Sequence, residues 1–221
     1  MKNTFICVFV TAAFLSCSSS KNQFLLPEYS EKSPRISLLI VPLDDHFEIE
    51  PTDIEYKTMS EQDKRNFNNL FGLVFQDYTT AKILSIDDSY ELTSSEFETE
   101  NLSTSSKDSL SLMMPKQGVQ MNFNGVSPDF TLFLQEYFIG FKDFRVSGSL
   151  DMQSSAGDKN YLFLRTKYGL WDNEKGTVAG WGNIEARVNF NGRITRQVYL
   201  NLIGKLSQQI IDYSPLKPRN I

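Results

Sequence analysis

Histidine and cysteine are nearly missing from this chain of 221 residues: there is one His, at position 46, and there are two Cys, at positions 7 and 17. A transition-metal centre wants two or more His or Cys side chains at defined spacing, and a histidine-dependent catalytic triad would have to use His46. Neither a metal nor a cofactor is expected, and the chain is not read as an enzyme. Basic excess is missing too, with 22 Lys and Arg against 27 Asp and Glu and a formal net charge of -5. Binding to phosphate backbones needs concentrated Lys and Arg, so nucleic acid is excluded as a partner. Gly176, Gly180 and Gly182 lack the Lys-Ser/Thr ending and the following helix of a phosphate loop, and read as a hairpin turn and a close-packed strand start. Also absent is any apolar run of the roughly 20 residues that crosses a bilayer.

The longest apolar run lies at the start. Lys2 precedes the segment from Thr4 to Leu15, which ends in Ser16-Cys17 and three serines. A basic start, a short apolar stretch and a small residue before the cleavage point are the parts of an export signal, expected here over 1–16. Phe14-Leu15-Ser16-Cys17 resembles a lipobox, with Phe14 and Leu15 where Leu and a small residue are commoner. Cys17 is therefore expected to carry the lipids, palmitate among them, of a membrane anchor. The alternative is an ordinary secretory signal that leaves Cys17 free. Cys7 leaves with the signal, so no intramolecular disulfide can form. Acyl chains contribute about 0.8 kcal/mol per buried methylene, and two or three of them anchor a protein without a transmembrane helix. Ser18, in place of an Asp, favours the outer over the inner membrane, with the domain facing the periplasm.

Residues 17–33 are polar and contain Pro27, and are expected to form a lipidated tether. The single domain is expected over 34–215. Arg35 to Val41 is a short, nearly continuous apolar run, the pattern of a strand buried on both faces. Ser60 and Asp63 form a capping-box pattern before Phe67, Leu70, Phe71, Val74, Phe75 and Tyr78, which share one helical face. Ala81 to Ile86 reads as a short strand. Residues 91–118 are dense in Ser, Thr, Glu and Asn and read as a polar excursion of the domain, within which Leu110 to Met114 fits a helical turn or a short strand. Three alternating segments follow, over 129–141, 159–171 and 177–190. In the first, Phe130, Leu132, Leu134 and Phe138 are assigned to one face and Phe133, Tyr137 and Ile139 to the other. A second amphipathic helix over 194–213 presents Val198, Leu202, Ile203, Leu206, Ile210 and Tyr213 before Pro215. The fold class is thus α/β (α+β), a mostly antiparallel sheet with both helices on one face.

Two groups of residues are candidates for recognition. Asp44-Asp45-His46, with Glu48 and Glu50, lacks the glycine pattern of a calcium loop and reads as a solvated acidic loop. On the sheet face away from the helices, Arg165, Lys167, Glu185 and Arg187 are expected beside Tyr161, Phe163 and Trp181. Aromatic rings supply contact area and charges supply orientation, so Arg165, Lys167, Trp181 and Arg187 are the candidate binding residues.

Tyr168-Gly169-Leu170-Trp171-Asp172 with the glycines after it, the opening strand ending Ile40-Val41-Pro42, its helix and the terminal helix together resemble the TolB-amino-terminal/CsgG-like fold. That group includes the curli-secretion-channel lipoprotein and penicillin-binding-protein activator lipoproteins. The resemblance covers most of the span from Ser33 to Tyr213 as an order of elements, departs from the group at 91–118, and carries over no catalytic residue. It implies a non-enzymatic envelope lipoprotein acting as adaptor or assembly component of a membrane or cell-wall machine, with an envelope protein as partner. Self-association is admitted. The alternative is a lipid- or hydrophobe-binding lipoprotein, in which the aromatic strands line an open groove.

The anchor is tested by Cys17→Ala, which should leave an unprocessed or soluble form. Membrane fractionation and the mass of the mature chain unaltered by the change would exclude acylation at Cys17.

Overall fold

The computed structural model of the chain describes residues 22–43, 47–49, 61–86, 96–103, 109–122, 125–144, 159–190 and 195–219. In chain order the elements are β1 (Gln23–Leu25), a 3-10 turn (Pro27–Tyr29), β2 (Ser37–Pro42), β3 (Phe47–Ile49), α1 (Glu61–Tyr78) and β4 (Lys82–Ile86). They continue with β5 (Phe97–Ser103), β6 (Ser109–Pro115), β7 (Phe130–Phe144), β8 (Lys159–Asp172), β9 (Thr177–Phe190) and α2 (Arg196–Asp212).

One seven-stranded sheet runs in the order β1-β9-β8-β7-β2-β4, with β3 pairing β7 farther along that strand. The long strands β7, β8 and β9 are antiparallel, and β1 joins β9 antiparallel. The other half departs from the expected mostly antiparallel sheet, because β2 pairs parallel with both β4 and β7, and β3 pairs parallel with β7. The reason is α1: a helix between two strands returns the chain to the same end of the sheet, so β2 and β4 run in the same direction. Leu38, Leu39, Ile40 and Val41 are all buried, as a parallel strand covered on both faces requires.

Both helices pack on one face. Phe67, Phe71, Val74 and Phe75 of α1 and Leu202, Ile203, Leu206 and Ile210 of α2 join Leu132, Leu134, Leu162, Leu164 and Ile184 of the sheet in one core. The helices approach closely where α2 has Gly204: a Cβ there would lie 2.4 Å from the Tyr78 hydroxyl. Along β7 the expected facing breaks down. Tyr137 and Ile139 lie in the helix-side core with Phe130, Leu132 and Leu134. A β-bulge between Gln135 and Phe138, with Glu136 at φ 54°, inserts one residue and reverses the alternation beyond it. A second irregularity, at Leu170/Trp171 opposite Val178 and Gly180, turns Ala179 to the helix side and Val178 away from it.

The expected polar excursion over 91–118 contains a covering element. β5 and β6 pair as an antiparallel two-stranded sheet. Leu110, Leu112 and Met114 point inward from alternate positions of β6 and, with Phe97, pack on Leu39, Val41, Phe133, Trp171, Val178 and Trp181. The sheet is therefore covered by helices on one face and by this hairpin over part of the other. Met114 comes against β8 at Gly169, where a Cβ would sit 2.4 Å from its sulfur.

Residues 22–33, expected as part of a tether, are built into the domain. β1 lies along β9, with Gln23 and Leu25 opposite Gly182 and Gly180, and Phe24 stacks on Trp181. The Tyr29 hydroxyl donates to the Asp172 carboxylate at 2.7 Å, both groups being buried. Burial first, then this hydrogen bond and the charge of Asp172, push the Tyr29 phenol well above its ordinary range. Lys32 donates from Nζ to the carbonyls of Ile211 (2.6 Å) and Asp212 (2.9 Å), and to that of Ser214. A cation there satisfies the open carbonyls at the end of α2 and opposes its dipole. Ser33 then donates its N–H to the Pro215 carbonyl.

Tyr29→Phe should cost about 1.5–3 kcal/mol, the worth of a hydrogen bond to a charged group. Phe71→Ala and Leu202→Ala should each cost roughly 2–5 kcal/mol, because both sites are fully buried. Denaturant midpoints check all three; wild-type midpoints for Phe71→Ala and Leu202→Ala would show that the helix faces are not core.

Candidate functional site

On the face turned from the helices, β8 and β9 form successive cross-strand rows. Tyr161 lies opposite Asn189, Phe163 opposite Arg187, Arg165 opposite Glu185, Lys167 opposite Asn183, and Gly169 opposite Trp181. The Gly169–Trp181 row lies under the hairpin. Gln135 of β7, in register with Lys167, marks the boundary. Its side-chain oxygen accepts the Met113 N–H and its amide nitrogen donates to the Met113 carbonyl, both at 2.9 Å, so one side chain pairs with β6 as a strand would.

Beyond that boundary a layer of charge lies on rings. The Arg165 guanidinium sits 5.7 Å from the Phe138 ring centroid and 6.0 Å from that of Phe163, and the Arg187 guanidinium sits 5.4 Å from that of Tyr161. The rings are in contact in turn, Phe138 with Phe163 at 5.6 Å and Tyr161 with Phe163 at 6.3 Å. Cations over aromatic faces are attracted by the ring quadrupole. Both arginines bind one carboxylate: Arg165 Nη2 donates to Glu185 Oε2 at 2.9 Å, and Arg187 Nε donates to Oε1. Burial alone would raise the Glu185 carboxyl, but the hydrogen bonds and charges of Arg165 and Arg187 outweigh it and hold it below the ordinary range. Arg187 is raised, first by its hydrogen bond to Glu185. The guanidiniums still face water, the side chains of Arg165 and Arg187 being 51% and 62% exposed.

Of the residues chosen from sequence, Arg165 and Arg187 are thus brought together. Lys167 is adjacent but engaged separately, donating to Glu136 of the β7 bulge at 2.6 Å. Trp181 is not on the open surface. It lies under the hairpin, 9% exposed, with Nε1 donating to the Ser103 carbonyl at 3.0 Å. The apolar wall that a hydrophobe-binding groove would use, formed by Phe133, Trp171 and Trp181, is filled by Phe97, Leu112 and Met114. Cys17, Asp44, Asp45, His46 and Glu50 lie outside the described residues, and Glu48 pairs through β3 with Phe138. Sequence reasoning missed Phe138 and Glu136, which the bulge turns to this face, and Gln135, whose role depends on where the hairpin lands.

The backbone of this edge is closed from the helix side. Past its pairing with β1, β9 offers the carbonyls of Arg187 and Glu185, which accept from Lys205 Nζ (2.9 Å) and Gln209 Nε2 (3.1 Å) of α2. Side chains so placed guard a strand edge against pairing with another chain. This stretch of edge therefore presents guanidinium groups to solvent and no free strand carbonyl at Glu185 or Arg187. Among the described residues no group of three or more His, Cys, Asp or Glu could hold a metal ion, and no helix is long and apolar enough to cross a membrane.

The two halves of the face should respond differently to truncation. Trp181→Ala removes a buried indole and should cost about 3–5 kcal/mol, whereas Arg165→Ala, at an exposed ion pair, should cost less than about 1 kcal/mol. Thermal or denaturant unfolding reads both; equal losses would contradict the placement of Trp181 beneath the hairpin and Arg165 outside it.

No family model matches the chain, and no curated protein matches it. Among solved structures it is similar to the PelC dodecamer from Paraburkholderia phytofirmans, at 12% identity over 86% of this chain and 93% of that chain, with a TM-score of 0.36. It is also similar to a protein from Xanthomonas campestris, at 10% identity over 82% and 84% of the two chains and a TM-score of 0.36. A third similarity is to lipoprotein GNA1162 from Neisseria meningitidis, at 12% identity over 80% of this chain and 99% of that chain, with a TM-score of 0.31. These likenesses are loose.

Proposed function

We propose that the chain is a non-enzymatic lipoprotein of the bacterial envelope, anchored through Cys17, facing the periplasm, and acting as an adaptor or assembly component of a membrane or cell-wall machine. The observation that carries this reading is the attachment of the N-terminal segment. The proposed export signal ends in Ser16-Cys17, and at Gln23, six residues after the cysteine, the chain is already paired to the sheet edge. β1, the Tyr29–Asp172 hydrogen bond and the Lys32 cap hold that segment at three places. An anchor with so little slack holds a rigid domain at the bilayer, which suits a scaffold. The resemblance of the element order to the TolB-amino-terminal/CsgG-like fold supports the same reading, and Ser18 supports the outer membrane.

The adaptor role is tested by crosslinking in the native envelope. Photoreactive residues at the exposed apolar positions Leu73 of α1 and Met113 of β6 should give a discrete adduct with an envelope protein, retained after mild solubilisation and lost with Cys17→Ala. Recovery of the anchored chain as a free monomer from every position would overturn it.

A further inference from the structure

We infer that the Arg165–Arg187 patch is a membrane-contacting surface, which binds the anionic headgroups of the bilayer that holds the lipid anchor and so sets the orientation of the domain. The inference rests on anchoring through Cys17 and adds to it a partner for the open half of the sheet.

Three observations meet here. First is reach: at about 3.3–3.6 Å per extended residue, the five steps from Cys17 to Asn22 span at most about 18 Å. The bilayer surface must therefore lie close to the start of β1. Second is direction. β1 runs antiparallel to β9, with Gln23 opposite Gly182, so toward Asn22 the chain heads along β9 in the direction of Asn183, Glu185 and Arg187. At about 3.4 Å per strand residue, Glu185 lies about 10 Å and Arg187 about 17 Å beyond Gly182. The patch and the reach of the anchor therefore cover the same end of the molecule.

Third is chemistry. Among the described side chains, Arg165, Lys167 and Arg187 face two carboxylates, Glu185 and Glu136, leaving one positive charge in excess on a protein whose overall formal charge is negative. Lys205 stands beside them at the Arg187 carbonyl. The guanidiniums lie within 6.0 Å of ring centroids and, being 51% and 62% exposed, keep donors turned to solvent that can meet phosphate oxygens. Tyr161 and Phe163 are almost fully covered, being 8% and 6% exposed, and Phe138 is half-buried. The surface offered to a partner is thus charge backed by apolar area, not an apolar anchor. Each cation near an anionic bilayer strengthens attraction by roughly fivefold. Two or three cations cannot hold a protein on a membrane alone, but they decide which side faces it once a lipid does the holding.

The test uses the lipidated mature chain reconstituted in vesicles, with a fluorophore on Asn189→Cys beside the patch or on Leu73→Cys across the molecule, and a nitroxide-headgroup lipid as quencher. In vesicles containing phosphatidylglycerol the Asn189 label should be quenched several-fold more than the Leu73 label. That ratio should fall toward one in pure phosphatidylcholine and in Arg165→Gln/Arg187→Gln, and be restored in Arg165→Lys/Arg187→Lys. Flotation of the vesicles reads the anchor separately. A chain that does not float loses the anchored reading, and the membrane surface with it. A chain that floats with equal quenching at both labels, with quenching indifferent to loss of the arginines, or with Asn189 crosslinking in the envelope to a protein in place of quenching, keeps its anchor and loses the membrane patch.

Discussion

The structure depends on an asymmetry within β8. Toward the helices this strand is apolar but for the buried Thr166, with Leu162, Leu164, Tyr168 and Leu170 in one core. Toward the other side it presents Trp171 and Gly169 at one end and Arg165 and Lys167 farther along. An apolar sheet face left in water forfeits its burial free energy, roughly 25 cal/mol per Å², so the Trp end requires a cover and the Arg end does not. The β5–β6 hairpin supplies that cover and stops at Gln135. The extent of the hairpin and the position of the charged patch are two results of one constraint.

The same constraint explains the N-terminal segment. Phe24 completes the cover over Trp181, while Tyr29 and Lys32 satisfy a buried carboxylate and the open carbonyls of α2. Each is a polar or apolar debt incurred elsewhere in the fold and met by residues far away in sequence. A segment recruited in this way cannot also act as a slack spacer.

The legible parts of the fold were those whose signal is local. The stripe from Phe67 to Phe75 has helical spacing whatever it packs on, and the Leu38 to Val41 run, short and rich in branched residues, fits a strand covered on both faces. The antiparallel segments and the turn after Asp172 were equally plain, as was the neighbourhood of Arg165 and Arg187, since alternation alone puts them on one side of adjacent strands. The facing of Tyr137 and Phe138 was not legible. It hinges on one inserted residue at Glu136, a non-glycine residue at positive φ that no composition signals. β5 was hidden, and β6 stayed open between a helical turn and a short strand at Leu110 to Met114, because a covering hairpin is polar on its outer side, and Ser, Thr and Glu outside mask Leu110, Leu112 and Met114 inside. Trp181 was misjudged for the same reason, its exposure being a property of the hairpin above it.

By itself the amino-acid sequence determined the two helices, the long strands and the scarcity of His and Cys, with one of the first and two of the second, and it made an export signal ending at Ser16-Cys17 the expectation. These follow from periodicity and residue chemistry, which act over a few residues at a time. Only the tertiary structure decided that the sheet is partly parallel, that residues 22–33 belong to the domain, that a hairpin buries Trp181, and that Arg165 and Arg187 share Glu185. Each of those depends on which surfaces meet at long sequence separation, and such meetings are chosen by the need to cover apolar area and satisfy buried polar groups across the whole molecule at once.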